Sequence, residues 1–132
     1  ITASPIELSE SVSIDKNLII NSEPAGEIGL ASIAMNGSGK TLTLQSNLLI
    51  NNTLSLAAGK IDLGSSNLSL AATASSDAGS NSAYVVTNGT GRFLRKGLSS
   101  EFTYPIGTSA VYAPTKITNT GSAVASRETA SP

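Results

Sequence analysis

From Thr41 to Leu70 the chain reads TLTLQSNLLINNTLSLAAGKIDLGSSNLSL. Its apolar residues fall in pairs two positions apart: Leu42/Leu44, Leu48/Ile50, Leu54/Leu56, Ile61/Leu63 and Leu68/Leu70. Apolar residues at i and i+2 mark a strand with one buried face. The pairs recur every six or seven residues, separated by small or polar residues. That gap is too short for a hairpin of ordinary strands and far too short for a helical crossover. It suits a corner that sends the chain round a solenoid, so the pattern predicts short strands wound as a β-solenoid. The rhythm is already present at Ile6/Leu8, Val12/Ile14 and Leu18/Ile20, and continues less regularly at Ile28/Leu30 and Ile33/Met35. Between these pairs lie Ser9, Glu10, Ser11, Asp15, Lys16 and Asn17; Asn and Asp tolerate a left-handed corner better than other non-glycine residues. Ser22 to Gly26 reads as a loop leaving the stack, and Asn36 to Lys40 as a second loop.

A single turn of short strands cannot bury its own face. Coils stacked about 4.8 Å apart bury a continuous apolar column and pair each backbone with the coil above and below. Three strands per coil give roughly 18–21 residues per coil, or about three or four coils between Pro5 and Ala72. The ends of so short a stack need covering. A cap or further coils before Ile1, and a different module after Ala72, are therefore expected.

The second half changes style. Residues Ala71 to Ser82, AATASSDAGSNS, read as a small-polar linker, and all five aromatic residues follow it: Tyr84, Phe93, Phe102, Tyr104 and Tyr112. AYVVTNGTGRFLRK reads as two strands joined by an Asn88-Gly89 hairpin turn. EFTYPIGTSAVYAPTKITNTG adds a strand through Phe102 and Tyr104, a turn at Pro105 to Gly107, and strands near Val111 and Ile117. The expected fold class is all-β: a short β-solenoid followed by an antiparallel β unit, enough for half of a sandwich. The divisions are residues 1–72 for the coils, 73–82 for the linker, 83–121 for the antiparallel unit and 122–132 for a disordered or lead-in tail.

Composition narrows the chemistry. The 132 residues are 13% charged, against roughly 25% in an average soluble domain, and the net charge is −1. Small polar residues make up the difference, as on an extracellular all-β surface. The near-neutral charge gives no electrostatic case for nucleic acid or an acidic membrane, and no apolar run reaches the length of a membrane span. With no Cys and no His, disulfides, thiolate metal sites and His or Cys catalysis are excluded. A chain that begins at Ile1 reads as a processed piece of something longer.

The run SAYVVTNGTGRFLRK followed by FTYPIGTSAVYAPTKITNTG resembles a module of large secreted and cell-surface proteins of Bacteroidota. There, a Leu-rich β-helical segment ends in such a strand pair, an aromatic-Pro-hydrophobic-Gly turn and a Tyr-x-Pro strand. The resemblance covers Thr41 to Gly121. It implies a building block of adhesins and other long extracellular proteins exported by the type nine secretion route, and it attaches no catalytic residues.

Other motifs have plainer readings. Ala34 to Thr41, AMNGSGKT, is similar to a phosphate-binding loop ending in Gly39-Lys40-Thr41, but the helix that loop requires is replaced by strand, so a glycine-rich turn between coils is expected. The Asn-x-Ser/Thr sequences at Asn36, Asn51, Asn67 and Asn88 fall mostly where corners want asparagine anyway. Glu7, Asp15 and Asp62 are isolated, while Glu23 and Glu27 share a loop; solvated charges that guard strand edges explain them. Neither an EF-hand loop nor a glycine-aspartate nonapeptide repeat is present, and no metal or cofactor is expected. The positions between paired apolar residues (Glu7, Ser13, Ile19, Thr43, Leu49, Ser55, Asp62, Ser69) make no threonine ladder of the ice-binding kind.

The aromatic cluster is the most plausible binding feature. Tyr84, Tyr104 and Tyr112 are candidates for stacking on sugar rings, with Arg92, Arg95 and Lys96 beside Phe93, although a module of this size needs aromatics for its core. The expected function is a non-enzymatic structural or adhesive module outside the cell, a rod of stacked coils. Its expected partners are neighbouring domains or identical subunits that pair through β edges. The alternatives are a carbohydrate-binding module using these tyrosines, or a fragment of a β-helical polysaccharide-degrading enzyme.

Overall fold

The computed structural model describes residues 11–14, 16–21, 27–98 and 101–120. The Ile6/Leu8 pair, the loop at 22–26, the tail at 122–132 and the acidic residues Glu7, Asp15 and Glu23 lie outside the described residues. The strands in chain order are β1 (Ser11–Ile14), β2 (Leu18–Ile20), β3 (Ile28–Leu44), β4 (Leu48–Asp62), β5 (Leu68–Leu70), β6 (Ser75–Ser76), β7 (Val85–Val86), β8 (Phe93–Arg95), β9 (Glu101–Tyr104), β10 (Ile106–Gly107) and β11 (Thr115–Thr118).

All pairings between these strands but one are parallel, and they form three ladders. The first stacks β3, β4, β5 and β8 in the register Ile28↔Leu48↔Leu68↔Phe93. The second stacks β1, β3, β4 and β6 through Ile33↔Leu54↔Ser76 and Ile14↔Met35↔Leu56. The third stacks β2, β3, β4, β7 and β10 through Leu18↔Leu42↔Ile61↔Val85↔Ile106. Three faces and about four coils make a β-solenoid, and the step from Leu48 to Leu68 is one coil of 20 residues. Because β3 and β4 each serve all three faces, the corners lie inside them as irregularities between Leu30 and Ser32, Met35 and Asn36, and Asn36 and Thr41. Asn36 to Lys40 is therefore a bent corner within a strand rather than a loop.

The i, i+2 pairs from Ile33/Met35 to Leu68/Leu70 all point inward. Leu30, Ile33, Met35, Leu42, Leu48, Ile50, Leu54, Ile61, Leu68 and Leu70 are fully buried in one column. Aliphatic side chains stacked on their equivalents one coil away provide the hydrophobic term, and inter-coil backbone pairing satisfies the amides.

Two expectations about the second half need correction. The Asn88-Gly89 hairpin does not form: β7 pairs in parallel with β4 and β10, and β8 in parallel with β5. Val85 and Phe93 are buried in register with the coil below, so burial of an apolar face outweighs the local turn signal. Asn88 to Gly91 is a corner instead. Gly91 N–H donates to Gly64 O at 2.9 Å, and this corner lies so close on the one below that a Cβ at Gly89 would stand 2.3 Å from Gly64 O and one at Gly91 2.0 Å from Ser66 O. Likewise, the stretch expected to be a linker carries a rung, β6, which pairs with Thr53 and Leu54 of β4. The parallel ladders thus continue to Gly107. The separate antiparallel element is the two-stranded sheet β9–β11, with Phe102 opposite Ile117.

Candidate functional site

Two arrangements stand out once the ladders are in place: a line of asparagines at one corner and an aromatic group at the C-terminal end. Asn47 and Asn67 each precede an inward Leu of the first ladder. Asn47 Oδ1 accepts the Asn67 N–H at 2.8 Å, and Asn67 Oδ1 accepts the Arg92 N–H at 3.0 Å. The third ladder repeats the device, with Asn17 Oδ1 accepting the Thr41 N–H at 2.9 Å. At these corners the side-chain amide oxygen accepts a backbone N–H of the next coil, the role a ladder carbonyl plays along the strands. Corner asparagines were expected to relax a left-handed backbone. Among the described residues, however, positive φ belongs to glycines alone, Gly39, Gly59, Gly64, Gly79 and Gly97. Beside this line, Ser46 and Ser66 are buried; Ser46 Oγ lies 3.1 Å from Asn21 Oδ1, and Ser66 Oγ donates to Leu44 O at 3.4 Å.

The aromatic group closes the stack. Phe93, last in the inward track of the first ladder, meets Tyr104 edge-on at 5.6 Å between centroids and Phe102 at 6.4 Å; Phe102 and Tyr104 stand 4.8 Å apart at 88°. Edge-to-face contacts of this kind add to the area buried. Arg95 follows Ile50 and Leu70 in register at the end of an apolar column. Its guanidinium donates to Ala74 O at 2.6 Å and Ala72 O at 3.1 Å and lies 4.8 Å over the Phe102 ring. It therefore caps the carbonyls of the 71–74 turn while its stem covers the column below. On the third ladder, Ala113 N–H donates to Ile106 O and Thr108 N–H to Val111 O, so residues 111–113 fold over the outer edge of β10.

The tyrosines belong to this closure. Tyr104 is 0% exposed and Tyr84 1%. The Tyr84 ring carries the Lys60 ammonium at 4.8 Å and Tyr112 at 5.5 Å, and its hydroxyl donates to Thr108 O at 2.7 Å. A sugar platform needs an open ring face, and Tyr84 and Tyr104 offer none. Tyr112 is half-buried with its hydroxyl on Ala78 O.

The charged candidates are dispersed. Asp62 Oδ1 accepts the Gly64 N–H at 3.1 Å, and Asp77 Oδ2 accepts the Leu56 N–H at 2.8 Å. Both carboxylates thus secure corners. Glu101 and Lys116 form an exposed pair at 3.5 Å across β9–β11. Lys40 and Thr41, the end of the phosphate-loop-like segment, lie in β3, and the Thr41 amide is taken by Asn17. Arg92 and Lys96 are exposed while Arg95 is engaged as described. Among the described residues no group of three or more His, Cys, Asp or Glu could hold a metal ion, and no helix is long and apolar enough to cross a membrane. Sequence reasoning missed the acceptor role of the asparagines; the signal for it was the recurrence of Ser-Asn-Leu at Ser46-Asn47-Leu48 and Ser66-Asn67-Leu68, one coil apart. No family model, curated protein or solved structure matches the chain significantly.

Proposed function

We propose that this chain is a non-enzymatic structural module, a spacer or scaffold in an extracellular, surface-borne bacterial protein, whose work is mechanical. The observation that carries the reading is the registered stack: three parallel ladders share one continuous aliphatic column from Ile14 to Ile106. Such a stack gives length and stiffness at low sequence cost, since each coil needs only inward aliphatics and corner residues. The adhesive role and export by the type nine route rest on the resemblance of residues 41–121 alone. Partners are then neighbouring domains or coils that continue the ladders at the N-terminal side, because the aromatic group and residues 111–113 occupy the other end. A carbohydrate ligand, if one binds, falls to the partly open Tyr112.

Pulling the chain between two marker domains in a force spectrometer tests the mechanical reading. A scaffold yields one cooperative rupture that releases the length of the whole stack. Coils that peel singly at low force refute it.

A further inference from the structure

We propose that Asn88 is a site of spontaneous deamidation, a chemical clock built into the corner between β7 and β8. The chain has two Asn-Gly sequences, Asn36-Gly37 and Asn88-Gly89, and the fold treats them oppositely. Asn36 lies inside β3 in register with Ala58, and Gly37 is buried against the next corner. Asn88, Gly89 and Thr90 form an exposed bend, and among the described residues neither the Asn88 side chain nor the Gly89 N–H has a hydrogen-bond partner.

The reaction is an internal substitution. The deprotonated amide nitrogen of Gly89 attacks Cγ of Asn88; the Cγ–Nδ2 bond breaks, ammonia leaves and a succinimide closes. Water then opens either carbonyl, leaving an aspartyl residue or its isoaspartyl isomer in place of Asn88, with no change of oxidation state. At Asn36 the pairing with Ala58 and the close packing of buried Gly37 on Gly59 hold the backbone, which must open before the Gly37 nitrogen can reach Cγ. The glycine that makes Asn88 reactive is also one the fold requires, since a Cβ at position 89 would stand 2.3 Å from Gly64 O. The isoaspartyl product lengthens the main chain by one atom at a corner that is packed carbonyl to glycine, so conversion loosens the contact between this corner and the one below.

The test is peptide mapping of the folded chain after incubation in mildly alkaline buffer, with a parallel sample in concentrated urea. The one-dalton gain is expected at Asn88 roughly tenfold faster than at Asn36 in the folded chain, because only Asn36 needs local opening, and at similar rates for both in urea. Asn88→Gln abolishes the early acidic species. Equal rates at the two sites in the folded chain, or an unchanged Asn88 while the urea sample converts, overturn the proposal.

Discussion

Substituting Asn67 separates two physical reasons for an asparagine at a solenoid corner. If the residue relaxes a left-handed backbone, glycine replaces it without cost. If its Oδ1 plays the role of a ladder carbonyl, glycine and alanine both fail and aspartate succeeds. Asn67 Oδ1 accepts the Arg92 N–H at 3.0 Å, and its own N–H is held by Asn47 at 2.8 Å. Asn67→Ala removes the first bond and leaves the second. Arg92 is exposed, so water reaches the abandoned N–H and the loss is that of one ordinary bond, about 1 kcal/mol, rather than a buried unsatisfied donor. For a domain of this size that lowers Tm by roughly 3–5 °C. Asn67→Asp keeps the acceptor and charges it, which strengthens a bond to a backbone N–H; its stability should stay within about 0.5 kcal/mol of the parent at neutral pH. Asn67→Gly should lose at least as much as the alanine variant. Urea titration reads all three as shifts of midpoint at constant slope. A glycine variant as stable as the parent, or an aspartate variant as weak as alanine, refutes the acceptor argument.

Three further outcomes follow from burial and backbone geometry. Tyr104→Ala should cost about 3–5 kcal/mol in urea unfolding, as for other buried aromatics, while Tyr112→Phe, which loses only the bond to Ala78 O, should cost about 1 kcal/mol; similar losses would contradict the core placement of Tyr104. Gly59 has φ +99°, and a Cβ there would stand 2.6 Å from Gly37 O and 2.9 Å from Lys40 O, so Gly59→Ala should destabilise by more than about 2 kcal/mol, and a neutral effect on Tm would refute that geometry. Thr87 Oγ1 is buried with no partner among the described residues, and Thr87→Val should therefore raise stability by about 1 kcal/mol; a drop in the urea midpoint would show that the hydroxyl is satisfied in solution.

Much of the solenoid was legible in the order of residues alone. The i, i+2 pairs from Leu42/Leu44 to Leu68/Leu70 determine strands with one buried face, and their six- or seven-residue spacing points to corners, because it is too short for hairpins of ordinary strands or for helical crossovers. Three strands per coil at that spacing give roughly 18–21 residues, which the 20-residue step from Leu48 to Leu68 matches, although the number of faces itself was set by the tertiary structure. That the Phe102 and Ile117 segments are strands of an antiparallel element was legible too, but not that they pair directly, since Ile106–Gly107, expected as a turn, instead joins β7 in parallel.

Other features depended on neighbours distant in sequence. Asn88-Gly89 carries the local signal of a hairpin, yet Val85 and Phe93 each find an apolar partner one coil back, and the gain from joining that column exceeds the turn preference. Ser75 and Ser76 carry no apolar signal, and they become a rung only because β4 offers an unpaired edge at Thr53 and Leu54. Tyr84 and Tyr104 could have been a platform or a plug by composition. The end of the stack decided it, since the last coil exposes an apolar column that aromatic side chains cover. By itself the sequence determined the repeating half of this protein, where each residue's environment is set by its own period. Only the tertiary structure decided where the repeat stops and what seals it, because an end is defined by the coil that fails to follow.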